Sequence, residues 1–271
     1  MVQREAFFLP AGAGQCFCLY HPPQGSDGRG AVLYIHPFAE EMNKSRRMAA
    51  LQSRALAAAG YGVLQVDLRG CGDSSGDFGD ADWRTWVKDV VNASHWLSAR
   101  SKAPLWLWGL RAGCLLAVDA AVNLPERANF IFWQPVVSGK QHWQQFMRLK
   151  MAGEFASGQA KAVGEQLRQQ LAAGHHVEIA GYRVLPGLAA ALEHAELAPP
   201  PGGGRVVWLE TAQREEPQLA PVAQKCIEQW QAAGFTVDAH VVRGPAFWQT
   251  TEIEDAPELI AATLAALEAR P

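Results

Sequence analysis

The stretch PLWLWGLRAGCLLA, residues 104–117, decides the fold that we predict for this chain. Residues 105–108 form a continuous apolar run of strand length, and the apolar residues after the turn are typical of a buried helix. Between these two runs, Gly109 and Gly113 frame a sharp turn with the pattern G-x-x-x-G, and its middle residue is Arg111. We therefore predict a strand, a tight turn and a helix, with Arg111 raised above the end of the strand.

Strands and helices alternate on both sides of this stretch. Apolar runs bounded by turn residues predict strands at 4–9, 15–21, 31–36, 61–68, 105–108, 128–137, 205–209 and 236–242. Amphipathic segments predict helices between most of these strands, and the last helix is expected to start with a capping box formed by Asp255 and Glu258. Because strands that alternate with helices form a parallel sheet covered on both faces, we predict an α/β fold with a mostly parallel sheet of about eight strands.

The alternation is interrupted after Val137. Residues 138–204 are rich in Gln and Ala and contain helical stretches at 141–152, 159–172 and 186–197, with the linker PPPGGG at their end. We therefore predict a core formed by residues 1–137 and 205–271, with a helical cap insertion and its linker at 138–204.

The composition limits the class of protein. Of the 271 residues, 49% are hydrophobic and 19% are charged, which is enough for a large core and unlike a disordered chain. The net charge is −3 and the isoelectric point is near 6.2, so we do not expect a nucleic-acid-binding protein. The sequence leaves the oligomeric state open.

Cysteines and targeting signals indicate a compartment. The five cysteines have no paired or zinc-ligand spacing, which favours a reducing environment and no bound metal. The N-terminus has too short an apolar run for a signal peptide, and no stretch is long enough for a membrane span. We therefore expect a cytoplasmic protein without a cofactor.

Three signatures in this order carry a family resemblance. They are His36-Pro37-Phe38 after a strand, DLRGCGDSSG at 67–76, and the turn at 109–113. Together they resemble the α/β-hydrolase superfamily, nearest its serine-aminopeptidase-like and thioesterase-like branch. The resemblance covers essentially the whole chain and implies an α/β-hydrolase fold with a cap after the sixth strand.

Longer stretches, including HPFAEEMNKSRRM and WQPVVSG, look more narrowly like the hydrolase-type-2 proteins associated with the exosortase A system. Members of that family accompany bacterial exopolysaccharide synthesis and the sorting of proteins with a PEP-CTERM tail. The resemblance therefore implies a role in this physiology.

The same resemblance implies a degenerate catalytic triad. The superfamily's nucleophile falls on Arg111, whose guanidinium stays protonated and cannot attack a carbonyl. The histidine is expected within residues 244–248, near Trp248, but this segment contains none, and His240 lies inside the preceding strand pattern. The acid position is met by Glu210, Glu215 or Glu216. Ordinary Ser-His-Asp hydrolysis is therefore not expected, because two of the three positions lack the chemistry.

The groups that polarise a carbonyl are better preserved. The backbone N–H groups of Phe38 and Ala112 match the superfamily's oxyanion positions, and such donors also suit a carboxylate or a phosphate. Arg111 adds a positive charge at a helix N-terminus, which is unfavourable by itself, so it needs a partner. That partner is either a protein carboxylate, such as Glu40, Glu41 or the acid near residues 210–216, or an anionic ligand.

Three functions remain open at this point. The first is an atypical or non-catalytic member that binds a small anionic ligand or a protein partner. Its candidate residues are Arg111, Phe38, Ala112, Glu40, Glu41, Gln134, Ser138 and Trp248. The second is an active hydrolase of an ester, thioester or peptide with a displaced nucleophile such as Ser138, with His142 as a base. The third is a scaffold without a pocket at Arg111.

Other polar residues near these motifs have structural interpretations. Ser74 and Ser75 lie in a Gly- and Asp-rich segment that is typical of a turn. Cys114 is expected in the core, and His36 is expected to shape its loop.

Overall fold

The computed structural model describes residues 4–25, 28–152, 160–214 and 218–269. The strands are β1 Glu5–Ala11, β2 Gly14–His21, β3 Gly30–Ile35, β4 Tyr61–Val66, β5 Leu105–Leu110, β6 Asn129–Trp133, β7 Val177–Ile179, β8 Tyr182–Val184, β9 Gly204–Ala212 and β10 Phe235–Arg243. The helices are α1 Glu40–Ala58, α2 Trp83–Arg100, α3 Gly113–Ala121, α4 Gly139–Ala152, α5 Ala160–Ala172, α6 Pro186–His194, α7 Pro221–Ala232 and α8 Pro257–Glu268.

An eight-stranded sheet with the order β1-β2-β4-β3-β5-β6-β9-β10 forms the centre of the fold. The strands from β4 to β10 in this order pair in parallel, whereas β2 is antiparallel to both β1 and β4. The predicted mostly parallel sheet is therefore confirmed. The strand β5 lies between β3 and β6, so the turn that follows it stands at the middle of the sheet edge.

Both faces of the sheet are covered, which explains the continuous apolar runs of the sequence. Leu107 of β5 packs in the core that α2, α3 and α7 form on one face. Its neighbours Trp106 and Trp108 pack in the core that α1 and α8 form on the other face. Since a strand alternates its side chains between two faces, a strand buried on both sides must be apolar at every position.

The segment between β6 and β9 contains α4, α5, the antiparallel pair β7–β8, and α6. The strand pair lies between the predicted helical stretches 159–172 and 186–197, where the sequence predicts no strand. The predicted helix 186–197 ends at His194, because Glu196 forms an isolated bridge with Ser138 and the Leu197 N–H donates to Val137 O. These contacts hold residues 196–197, near the C-terminal end of this segment, next to residues 137–138, which follow β6.

The predicted start of the last helix is wrong. The N-cap residue of α8 is Ala256, and no side chain caps it. Asp255 is instead bound by Arg47 of α1 through two hydrogen bonds of 2.7 and 2.8 Å. Glu258 accepts a hydrogen bond from the Arg243 N–H. Asp255 therefore pairs with the guanidinium of Arg47 and does not cap α8 as the sequence pattern predicted.

The five cysteines are free and buried. In the described part of the chain, no helix has the length and apolar character that crossing a membrane requires.

Candidate functional site

The turn of residues 109–113, which we call the elbow, joins β5 to α3 through two glycines that the geometry requires. A side chain on Gly113 would come within 2.7 Å of the His36 carbonyl oxygen. A side chain on Gly109 would come within 2.6 Å of Cys114 Cα. Between these glycines Arg111 adopts a left-handed backbone with φ of 55°, a conformation that costs a non-glycine residue about 1 kcal/mol or more.

The side chain of Arg111 is held by two partners. Its Nε donates to Glu41 Oε1 at 3.2 Å, and the two side chains are only 15% and 9% exposed. Its Cζ lies 5.4 Å from the centroid of the Trp248 ring, a cation–π distance. The residue at the expected histidine position therefore covers the guanidinium instead of accepting a proton from a nucleophile. The carboxylate partner left open by the sequence is Glu41.

Two adjacent carboxylates lie at this guanidinium. Glu40 and Glu41 form the first turn of α1, where the helix dipole favours negative charge. Burial raises the pKa of Glu41 to about 7, and the opposing effect of Arg111 is smaller. Burial also raises the pKa of Glu40. In each carboxylate, Oε2 is buried and has no hydrogen-bond partner among the described residues. Arg111 therefore pairs with one oxygen of Glu41, and one buried oxygen of each carboxylate is left without a partner among the described residues.

The backbone N–H groups of Phe38 and Ala112 donate no hydrogen bond to any described residue. Ala112 is the N-cap residue of α3, where amides of the first turn have no acceptor inside the helix. Phe38 precedes α1, and its ring packs against Phe78 and Phe146. The amides at the two predicted oxyanion positions thus have no acceptor among the described residues, and both residues are buried.

His142 of α4 faces this region from the segment between β6 and β9. It is buried, its ring centroid lies 6.1 Å from that of Phe38, and neither ring nitrogen has a hydrogen-bond partner in the described structure. Burial and, to a smaller extent, the charge of Arg111 lower the pKa of His142 to about 3. The imidazole is therefore neutral at physiological pH.

Ser138 and His142 do not form the nucleophile–base pair that the sequence allowed. The Ser138 hydroxyl donates to Glu196 Oε1 at 3.1 Å instead. This bond ties the start of α4 to the residues after α6.

Gln134 and Glu210 have partners within the sheet edge. Gln134 follows β6 with φ of 42°, and its Oε1 accepts from the Thr211 N–H at 2.8 Å. The carboxylate of Glu210 accepts from Trp208 Nε1 at 2.8 Å, and burial raises its pKa. The other two acid candidates, Glu215 and Glu216, lie outside the described residues. His240 lies on β10 and contacts Asp238 at 2.7 Å.

The remaining polar residues near the elbow have structural contacts. His36 donates from Nδ1 to Pro37 O and accepts the Leu68 N–H at Nε2, so it joins two loops. Ser74 accepts the Phe17 N–H at 2.8 Å, and Ser75 accepts the Gln15 N–H at 3.1 Å. These contacts are the structural roles predicted from the sequence.

A cleft of about 570 Å³ lies beside the first turn of α1, and its lining includes Arg46, Asp73, Phe78 and Tyr182. Tyr182 belongs to β8, and burial, with a smaller effect of the charge of Glu40, raises its pKa. The sequence indicates neither Tyr182 as a residue of this region nor the contact between Trp248 and Arg111. No spacing signal could reveal that contact, because the two residues are more than 130 positions apart in the chain.

Comparisons with known proteins agree with this architecture. Residues 26–173, more than half of the chain, match the family described as Serine aminopeptidase, S33. Protein ABHD12B of Homo sapiens is 33% identical over 111 residues, which are 41% of this chain and 29% of the human protein. Lysophosphatidylserine lipase ABHD12 of Gallus gallus is 31% identical over 97 residues, which are 35% of this chain and 24% of the chicken protein. The match thus spans less than a third of either relative.

Solved structures of low sequence identity share the fold. A soluble variant of monoglyceride lipase from Saccharomyces cerevisiae has a TM-score of 0.65 at 15% identity, with 99% of this chain and 96% of the yeast chain covered. Est1E from Butyrivibrio proteoclasticus, solved with ferulic acid, has a TM-score of 0.64 at 12% identity, with 97% and 96% covered. The sheet order, the elbow and the match over residues 26–173 lead to one conclusion: this chain belongs to the α/β-hydrolase superfamily, in the family described as Serine aminopeptidase, S33.

Proposed function

We propose that this chain is a non-hydrolytic member of its family that binds a small anionic ligand at the elbow. Two observations support the proposal: Arg111 lies in the middle of the elbow, where the resemblance places the nucleophile, and the backbone N–H groups of Phe38 and Ala112 donate to no described residue. A guanidinium and backbone amides together bind carboxylates and phosphates well.

The absence of hydrolysis follows from the same residues. An arginine does not lose its proton at accessible pH, so position 111 supplies no nucleophile. Trp248 at the histidine position offers an indole N–H, which is a donor only and cannot act as a base. Loss of one triad member already lowers turnover by about four to six orders of magnitude.

Hydrolysis assays test the first half of this proposal. We expect no saturable turnover of p-nitrophenyl esters, thioesters or a monoacylglycerol, and no covalent labelling by a fluorophosphonate probe. Lysophosphatidylserine belongs in the same panel because a chicken relative is named for it. Turnover that Ser138→Ala abolishes, or a labelled serine, would contradict the proposal and favour the displaced-nucleophile alternative.

Ligand binding tests the second half. Thermal shift experiments screen carboxylates, phosphates and sugar nucleotides, and at least one of these anions should raise the melting temperature of the wild type but not that of Arg111→Ala. Arg47→Ala is the matched control, because it also removes a guanidinium that is paired with a carboxylate. This pair, Arg47 of α1 with Asp255, lies on the surface away from the elbow. The control should keep the response. If Arg111→Ala responds to the anions as strongly as the wild type does, the elbow is not the binding site.

A scaffold role is the second candidate, and the small exposure of Arg111 favours it. A guanidinium paired with Glu41 and covered by Trp248 can serve only to join the elbow to α1 and to the loop after β10. In that case no anion raises the melting temperature, while Arg111→Ala still lowers the stability of the fold.

The cellular setting is a further part of the proposal. The resemblance to hydrolase-type-2 proteins of the exosortase A system supports a cytoplasmic role in exopolysaccharide production and PEP-CTERM sorting. Deletion of the gene in its host should reduce secreted polysaccharide or leave PEP-CTERM proteins unsorted, and Arg111→Ala should fail to complement. A deletion strain with normal polysaccharide and normal sorting would count against this setting.

A further inference from the structure

We infer, on the basis of the proposed function, that the elbow accepts a monoanion together with one proton, that Glu41 receives this proton, and that dianions are rejected. The proposed binding site would thus select its ligands by charge, and Glu41 would determine that selectivity.

The guanidinium that would bind the anion already has a carboxylate. Arg111 Nε and Glu41 Oε1 are 3.2 Å apart, and both side chains are almost fully buried. A ligand anion that approaches Arg111 therefore meets the Glu41 carboxylate at close range. Two like charges at one buried site cannot both remain ionised without a large cost, so one of them takes a proton or leaves.

The surroundings of Glu41 offer little compensation. The charges of Glu40 and Lys44, both on α1, act on Glu41, and the charge of Glu41 acts on Tyr34 of β3. Burial lowers the pKa of His142 on α4 to about 3, so this side chain is neutral, and the charge of Glu40 acts on Tyr182 of β8. Among the described residues, the cations that act on Glu41 are thus Arg111 and the half-exposed Lys44, against two carboxylates. One added negative charge exceeds what these groups balance.

Glu41 is prepared to take the proton. Its Oε2 is buried without a hydrogen-bond partner in the described structure, so protonation breaks no existing contact there. Burial already raises its pKa to about 7, and an anion on Arg111 removes the charge that opposes this shift.

The charge balance is simple. Before binding, the Glu41 carboxylate and the Arg111 guanidinium cancel. After binding, the ligand monoanion takes the place of the carboxylate at the guanidinium, and a proton from solvent converts Glu41 to the neutral acid. The net charge of the site is unchanged for a monoanion, whereas a dianion leaves one uncompensated negative charge beside Glu40.

The test uses the full chain and three probes that do not titrate between pH 6 and 9. Acetate and dimethyl phosphate are monoanions from two chemical classes, and sulfate is a dianion. The dissociation constants are measured by NMR titration at constant ionic strength. For the wild type we expect the affinity for both monoanions to fall about tenfold for each pH unit above 7, because one proton is taken up. Sulfate should bind at least about tenfold more weakly than acetate.

Two variants assign the proton to its residue. Glu41→Gln mimics the neutral acid, so it should bind acetate with a pH-independent affinity. Glu40→Gln is the matched control, since it removes the neighbouring carboxylate but keeps Glu41, and it should retain the tenfold slope at high pH.

The outcomes separate the two proposals. A wild type that binds none of the three anions at any pH overturns the proposed function and this inference with it, whereas one that binds sulfate but neither monoanion overturns this inference alone. A wild type that binds acetate with the same affinity from pH 6 to 9, or binds sulfate as tightly as acetate, overturns this inference alone. A Glu41→Gln variant that keeps the pH slope also overturns it. If a variant does not fold, the pH dependence of the wild-type affinity for the monoanions tests the inference by itself.

Discussion

Arg111 is an unusual residue for its position. It adopts a left-handed backbone, and its positive charge lies at the N-terminus of α3, where the helix dipole disfavours cations. Each of these effects costs on the order of 1 kcal/mol. Glu41 and the Trp248 ring offset the cost by holding the guanidinium on two sides. The three residues therefore act together, and changing one of them affects the other two.

Replacing Arg111 by alanine should destabilise the fold in a pH-dependent way. The change leaves Glu41 buried without its cation, which costs about 1–3 kcal/mol while the carboxylate is ionised. Because burial raises the folded pKa of Glu41 above its usual value, the carboxylic acid is the form that favours folding. Its contribution is complete below about pH 4.5 and is lost as the pH rises through about 7.

Urea unfolding at pH 5 and pH 8 measures this effect. The loss of unfolding free energy in Arg111→Ala should be larger at pH 8 than at pH 5. Arg47→Ala, which breaks an exposed pair, should show a much smaller loss with little pH dependence. Equal losses for Arg111→Ala at both pH values would mean that Glu41 does not titrate in this range.

The sequence identified the residues of this site better than their contacts. Arg111, Glu41 and Trp248 were each named from motif positions, because the elbow, the segment after β3 and the segment after β10 follow fixed features of the fold. Their mutual contacts depend on side-chain directions across three loops, which no local pattern encodes. The position of His142 after the sixth strand indicates a pocket-lining residue or a base beside Ser138, but not that its ring is buried without a hydrogen-bond partner among the described residues.

At the scale of elements, the elbow depends on glycine at two positions. Gly113→Ala should destabilise the fold by at least about 3 kcal/mol, because the added methyl group meets the backbone carbonyls of the loop after β3. Gly187→Ala in α6 is the control: nothing lies within 4 Å of the added methyl group, so the variant should be neutral or up to about 1 kcal/mol more stable. Thermal unfolding of both variants measures the difference. A folded Gly113→Ala with wild-type stability would contradict the tight elbow.

The docking of α4 should weaken in acid. His142 is buried and its folded pKa is lowered to about 3, so its contribution to stability is present above about pH 6.5 and is lost as the pH falls toward 3. Relative to His142→Phe, the wild type should lose up to about 1.4 kcal/mol per pH unit in this range.

Hydrogen exchange of the α4 amides at pH 6.5 and pH 4, compared with unfolding curves, checks this expectation. His95→Phe, on an exposed position of α2, should leave the pH dependence of the wild type unchanged. An α4 that is equally protected at both pH values, after correction for intrinsic exchange, would contradict it.

Elements with a strong pattern were predicted well, and boundaries set by tertiary contacts were not. The strand β5 is apolar at every position because both faces are covered, and this run is visible in the sequence. The strand β9 extends to Ala212 beyond the predicted Leu209, because its pairing with β10 continues to Arg243. The start of α8 was misassigned because Arg47, far away in the chain, binds Asp255.

For the whole molecule, the mostly parallel sheet with helices on both faces follows from the resemblance and from general rules of α/β folds. The five cysteines are buried in strands, helices and a loop of the core. Burial raises the pKa of Cys16 and Cys18 to about 12 and that of Cys226 to about 11. A thiol is reactive only as the thiolate, so these groups are inert in the folded state.

Thiol titration tests this view of the whole chain. We expect the five cysteines to be unreactive toward a disulfide reagent in the native protein and all five to react after denaturation. A reducing agent should leave the melting temperature unchanged. Rapid native labelling of any cysteine would show a region that opens more easily than its burial indicates.

The contact of Trp248 with Arg111 couples the side chains that positions 111 and 248 can hold. A single exchange of Arg111 for serine would set a hydroxyl beside Trp248, which cannot accept its proton, and a single exchange of Trp248 for histidine would set an imidazole against a guanidinium. Neither intermediate gains turnover, and each loses a contact that supports the fold. A serine at position 111 could therefore be activated by a residue at position 248 only if both positions changed together.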